Sequence, residues 1–245
     1  MRLDLALVER GLAPNRSRAR DAIRRGCVRV EGTEVRKSGA EVDPAVPISV
    51  ADPAGCYVSR AALKLLHGLE LFGVDVTGMT ALDLGASTGG FTQVLLERGA
   101  ARVTAVDVGH GQLSGQLASD PRVTVIEGLN ARDLTAAHLP ARPDLIVADL
   151  SFISLRLALP PALDLAAPGA RCVLLVKPQF EVGRQNIGKG GIVPMDRAEW
   201  VSVELRDWLD GVPNWHATGL APSPIVGGSG NREWLLGGAK TENPS

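Results

Sequence analysis

Cysteine is scarce in this 245-residue chain: Cys27, Cys56 and Cys172 are odd in number and far apart. That spacing excludes a disulfide framework and a zinc cluster, and it fits a reducing compartment, which means a cytoplasmic setting. Histidine occurs only four times, so no metal is expected. No apolar run reaches the roughly 18 residues that a membrane-spanning helix needs. Arg2, Asp4 and Glu9 interrupt the first apolar stretch, so no signal peptide and no membrane partner are expected either. A strong charge of one sign is also missing, because the net charge is -1. What is present is the mix of a soluble globular protein, 45% hydrophobic and 22% charged, with length enough for one large core and one small one. The charge is uneven. Residues 1 to 50 hold ten Arg or Lys against seven acids, and the remainder holds sixteen against twenty. A weakly basic head on a slightly acidic body suits an anionic partner, although an ordinary solvated surface can carry the same charge.

The head opens with Leu3, Leu5, Leu7 and Val8 at helical spacing and stops at Gly11. Asn15 or Ser17 caps a second helix that runs to Gly26. Val28 to Val30 and Glu34 to Arg36 flank a Glu31-Gly32-Thr33 turn, and a polar stretch to Gly55 closes the unit. The body alternates short apolar runs with helical stretches. Strands are expected at Met79 to Leu84, Arg102 to Val108, Arg122 to Glu127, Asp144 to Leu150 and Arg171 to Lys177, then at Trp215 to Leu220 and Glu233 to Leu236. The fold class that follows is α/β, a doubly wound, mainly parallel sheet behind a small α+β head.

The first strand of the body runs through Asp83 into Gly85-Ala86-Ser87-Thr88-Gly89-Gly90. Glycines there allow a tight turn and a close approach of backbone to ligand. Asp107 ends the next strand, where an acid hydrogen-bonds the ribose of an adenosine cofactor. Asn130 and Asp133 follow the third strand, and an acid there can hold an adenine amino group. A dinucleotide site needs a Gly-x-Gly-x-x-Gly run facing a pyrophosphate. Here Asp83 beside the loop disfavours a phosphate and suits a cationic amino-acid moiety, which points to S-adenosylmethionine.

Four charged residues stand apart. Lys64 lies in a helix ahead of that first strand, Asp149 and Lys177 end the fourth and fifth strands, and Glu233 begins the last. Strand ends face the ligand crevice of such a sheet. Lys177 follows a strongly apolar run, where an unpaired ammonium is costly, so Asp149 or Glu233 is expected to pair with it. The group suits a weak, hard nucleophile such as a ribose hydroxyl, whose alkoxide two lysines favour by charge.

These motifs resemble the TlyA, or haemolysin-A, family. In the head the resemblance rests on Arg2-Leu3-Asp4, Arg16-Ser17-Arg18-Ala19-Arg20 and Val28-Arg29-Val30. In the body it rests on Tyr57-Val58-Ser59-Arg60 with Lys64-Leu65, Asp83 to Thr92, Asp149 to Ser154 and Lys177 to Glu181. Ala61 and Ala62 stand where many members have two glycines. The resemblance implies an S4-type RNA-binding domain (1–50), a linker (51–56) and an FtsJ-type methyltransferase domain (57–245). It also implies 2'-O-methylation of a ribosomal RNA cytidine from S-adenosylmethionine, with Lys64, Asp149, Lys177 and Glu233 as the catalytic tetrad. The expected cofactor set is Ser59, Asp83, Gly85, Ala86, Ser87, Thr88, Gly89, Gly90, Asp107, Asn130 and Asp133. The expected RNA set is Arg2, Arg16, Arg18, Arg20, Arg24 and Arg60. A non-catalytic RNA-binding factor, a lytic protein and a methyltransferase with another target, such as a base nitrogen or a small molecule, are the alternatives.

Overall fold

The computed structural model describes residues 1–242, apart from the side chain of Arg184. The chain divides into two compact units, Met1–Cys56 and Tyr57–Ser245. In the first, helices α1 (Leu3–Glu9) and α2 (Arg16–Arg24) pack on strands β1 (Val28–Val30), β2 (Thr33–Glu34) and β3 (Ile48–Val50), in sheet order β2-β1-β3. Each boundary has a local cause. The Asn15 side chain accepts a hydrogen bond from Arg18 N and caps α2. Glu31 and Gly32, with φ of 50° and 79°, form the two-residue turn that joins β1 to β2. Leu3, Leu7, Ala19, Ala22, Ile23 and Val28 make the core. β3 is an addition to the sequence reading, because three residues between prolines and a polar stretch carry too little alternation to register as a strand.

In the second unit the elements are α3 (Ala62–Leu71), β4 (Thr80–Leu84), α4 (Gly90–Glu97), β5 (Arg102–Asp107), α5 (Gly115–Ala118) and β6 (Val123–Glu127). Then come β7 (Leu145–Ala148), α6 (Leu155–Ala158), α7 (Pro160–Leu165), β8 (Arg171–Val176), α8 (Met195–Asp210), β9 (Trp215–Pro222) and β10 (Trp234–Lys240). The sheet order is β6-β5-β4-β7-β8-β10-β9. β4 to β8 are mutually parallel, and β10 runs antiparallel to both β8 and β9. The chain thus winds outward from β4 to β6, then restarts at β7 on the other side of β4. The crevice at such a reversal lies beyond the carboxyl ends of β4 and β7. Alternate strand residues feed two cores, one on each face of the sheet. Leu82, Ile146, Leu174 and Leu236 enter one, and Ala81, Val147, Val173 and Leu235 the other. Both faces are therefore covered, which is why these strands read as continuous apolar runs rather than alternating ones.

Candidate active site

The glycine loop leaves β4 at the reversal point. Gly85 has φ of +82°, and a Cβ there would lie 2.7 Å from the Asp149 carbonyl oxygen, so only glycine lets the two strand ends meet. Gly90, the first residue of α4, leaves room for Ser59, whose Cβ would stand 2.8 Å from an added methyl. Ser87 holds a left-handed φ of 46° and donates its N–H to Asp107 Oδ2 at 2.8 Å. Gly109 N donates to the other oxygen at 2.7 Å. Asp107 therefore orients the loop while ending β5, and each oxygen keeps a lone pair for a ligand hydroxyl.

Asp83 lies beneath the loop, fully buried. Thr92 Oγ1 donates to its Oδ2 at 2.7 Å, and Oδ1 has no hydrogen-bond partner. Burial pushes its carboxyl up to about 7, with the Asp149 and Asp107 charges acting in the same direction and Thr92 against it.

A cavity of about 160 Å³ is lined by Ser59, by Gly85 to Thr88, and by Asp149, Ser151 and Lys177 among others. A small recess beside Ser87 and Asp107 is walled by Gln112, Leu113 and residues 125–127. Asn130 and Asp133 line neither. Asn130 instead caps a short 3-10 turn by accepting from Arg132 N at 3.2 Å, and the exposed Asp133 sits 3.8 Å from Arg132.

The four charged residues form two ion pairs. Lys177 Nζ lies 2.6 Å from Asp149 Oδ1 at angles that do not make a hydrogen bond, and it donates to Ser151 Oγ at 2.8 Å. Lys64 Nζ donates to Glu233 Oε2 at 2.5 Å, with both side chains buried. Topology brings the pairs to one edge of the sheet. Trp234 pairs with Val176, so Glu233 enters β10 where Lys177 leaves β8. Only the Lys177 pair faces the cavity. Pairing answers the cost of burying charge, and removal of one partner exposes it.

Sequence reasoning overlooked the way the two strand-end loops are fastened together. Glu181 accepts from Ser154 Oγ at 2.6 Å and from Leu155 N at 2.8 Å. Burial raises its carboxyl above the usual range. Phe152, 90% exposed with φ of 68°, packs its ring 5.2 Å from that of Phe180. A phenylalanine three residues beyond a strand-end acid was the available signal. Asn231 was overlooked too. It is buried, accepts from Val193 N at 2.9 Å and donates to the Gly191 carbonyl at 2.9 Å, which ties the 188–193 loop to the approach of Glu233.

In the first unit, Arg2, Arg16 and Arg20 converge on Asp4. Arg18, on the same helix, donates instead to the Ala54 carbonyl, and Arg24 is exposed. Arg60 belongs to the second unit, where its guanidinium lies near Gly228.

The acids that surround a loop closed to Cβ atoms, with an unpartnered carboxylate oxygen beneath it, fit a cationic adenosyl ligand better than a phosphate. The chain belongs to the FtsJ-like methyltransferase family, whose description matches residues 57–240, and an S4 domain matches residues 1–46. Within that class it belongs with the TlyA, or haemolysin-A, proteins. It is 48% identical over 238 residues to the 16S/23S rRNA (cytidine-2'-O)-methyltransferase TlyA of Mycobacterium tuberculosis, covering 96% of this chain and 88% of the relative. It is 38% identical to Hemolysin A of Brachyspira hyodysenteriae, covering 96% and 98%. A solved haemolysin-type structure from Streptococcus thermophilus shares 37% identity at a TM-score of 0.73, over 100% of this chain and 90% of that one.

Proposed function

We propose that the protein transfers a methyl group from S-adenosylmethionine to the 2'-oxygen of a cytidine in ribosomal RNA. The observation that carries this reading is the Lys177–Asp149 pair, which lines the same cavity as the glycine loop. Residues 1–50 act as the RNA-binding head, 51–56 as the linker and 57–245 as the catalytic body. When bound, S-adenosylmethionine supplies an electrophilic methyl group. The chain's own residues do the rest. Asp83, Ser59, the 85–90 loop and Asp107 hold the donor. Lys177, once its ammonium has released a proton to solvent, takes the 2'-hydroxyl proton as the new bond forms, and Asp149 and Ser151, already facing Nζ, receive the regenerated ammonium. Lys64, held by Glu233, remains a fixed positive charge that favours the developing alkoxide. The substrate class sets the reaction in the cytoplasm, and no helix among the described residues is long and apolar enough to cross a membrane. Ribose methylation mapped on ribosomal RNA from cells with and without the gene tests the reading. At least one cytidine should lose its 2'-O-methyl mark in the deletion strain and regain it with the intact gene. An unchanged methylation map contradicts the proposal.

A further inference from the structure

Asp4 has no role in the reaction, yet it is the most heavily partnered carboxylate of the first unit. It stands in the first turn of α1 and is 0% exposed. Arg2 meets it with two nitrogens, Nε at 3.0 Å and Nη2 at 3.1 Å. Arg16 and Arg20 each offer Nε to Oδ2, at 2.9 and 2.8 Å. What covers the carboxylate is the guanidinium groups themselves, whose side chains are 43%, 45% and 40% exposed.

One bidentate arginine is enough to neutralise a buried carboxylate. Arg16 and Arg20 add two further charges, so the cluster carries an excess of two positive charges toward solvent. Arg16 and Arg20 lie one helical turn apart and share a face. Each uses only its Nε on Asp4. Among the described residues, their terminal nitrogens have no other partner, and those nitrogens form the fork that fits two oxygens of a phosphate. Ion pairs that fix Nε also fix the plane of the fork, which removes rotamer entropy before any ligand arrives.

We propose that Asp4 is a positioning residue that gathers Arg2, Arg16 and Arg20 into one receptor for a single phosphate of the RNA backbone. The proposal rests on the reading of the first unit as the RNA-binding head. It sets these arginines apart from Arg18, which is spent on the Ala54 carbonyl, and from Arg24, which lies outside the cluster.

The test uses the full chain, a labelled RNA hairpin and a salt titration, because a phosphate contact is independent of sequence. The informative variant is Asp4→Asn. It raises the net charge by one, so charge alone makes it bind RNA more tightly. Loss of positioning makes it bind more weakly. We expect affinity to fall at least about fivefold, and the slope of log affinity against log salt to shrink by about one, the share of one phosphate contact. Asp4→Asn added to an Arg16→Gln/Arg20→Gln variant should then cost nothing more. Folded Asp4→Asn protein that binds as tightly as wild type, or tighter, overturns the proposal. If Asp4→Asn does not fold, Arg16→Gln and Arg20→Gln are compared with Arg24→Gln. Larger losses at the first two support the receptor, and equal losses overturn it. Polyglutamate that competes as well as RNA assigns the cluster to a protein carboxylate and overturns the phosphate assignment. Wild-type protein that does not bind the hairpin even at low salt removes the RNA-binding reading itself.

Discussion

Asp83→Asn isolates the energetic consequence of the acid beneath the cofactor loop. The carboxyl is raised from 3.8 to about 7, chiefly because burial disfavours its charged form. The folded state therefore holds a proton that the unfolded chain has already released between about pH 4 and pH 7. Stability from this group is full below the unfolded value and is lost as pH rises through the folded one. About three pH units at about 1.4 kcal/mol each give a loss of at most roughly 4 kcal/mol across that window. Asparagine cannot titrate. Its carbonyl still accepts from Thr92, while its amide nitrogen takes the place of the unpartnered Oδ1. Protonated Asp83 leaves an unpartnered O–H at the same position, so the two side chains are nearly equivalent below the unfolded carboxyl value. Wild type and variant should thus match near pH 4, and the variant should outlast wild type increasingly toward pH 7.5. Urea denaturation of the ligand-free protein, followed by circular dichroism at half-unit pH steps, measures the gap directly. Parallel stability curves for the two proteins across the whole range would mean that Asp83 does not hold its proton in the folded state.

The other site groups give equally direct outcomes. Lys64→Met strands a buried Glu233 charge and should destabilise the fold by about 3–5 kcal/mol. Lys64→Met/Glu233→Gln should recover much of that loss in a thermal melt, and additive losses argue against the pair. Asp107→Ala removes the acceptor of both Ser87 N and Gly109 N as well as the proposed ribose contact. Calorimetry should show S-adenosylmethionine affinity reduced at least about tenfold, and unchanged affinity removes Asp107 from the site.

The architecture was legible where local chemistry and topology coincide. The β4 strand, its glycine loop and the acid ending β5 can be read from order and spacing, because a tight turn at a strand end needs glycine wherever it occurs. The strand-end positions of Asp149 and Lys177 follow from the same alternation. Partnership was less legible. Lys64 and Glu233 are 169 residues apart, and only the antiparallel return of β10 along β8 brings them together. The arginines of α2 look alike in sequence. Their fates diverge because Asp4, on another helix, collects Arg16 and Arg20, while Arg18 turns toward Ala54. Glu181 and Asn231 act through bonds to distant loops, and composition carries no trace of such bonds. Phe152 did leave a signal in its residue type and spacing, but its left-handed backbone and exposed ring are set by the fold.

The proposed mechanism puts Lys177 on the reacting 2'-hydroxyl rather than making it a docking point for RNA. Single-turnover methyl transfer from labelled S-adenosylmethionine, at saturating ribosomal RNA, separates the two roles. A docking residue acts mainly on KM, whereas a group needed at the transition state acts on kcat. Lys177→Ala should lower the rate at least about 100-fold while cofactor and RNA affinities are kept, the low end for a positioned proton-transfer group. Lys177→Arg should not restore it, because a guanidinium stays protonated and has a different shape. A near-normal single-turnover rate for Lys177→Ala would remove Lys177 from the proton transfer.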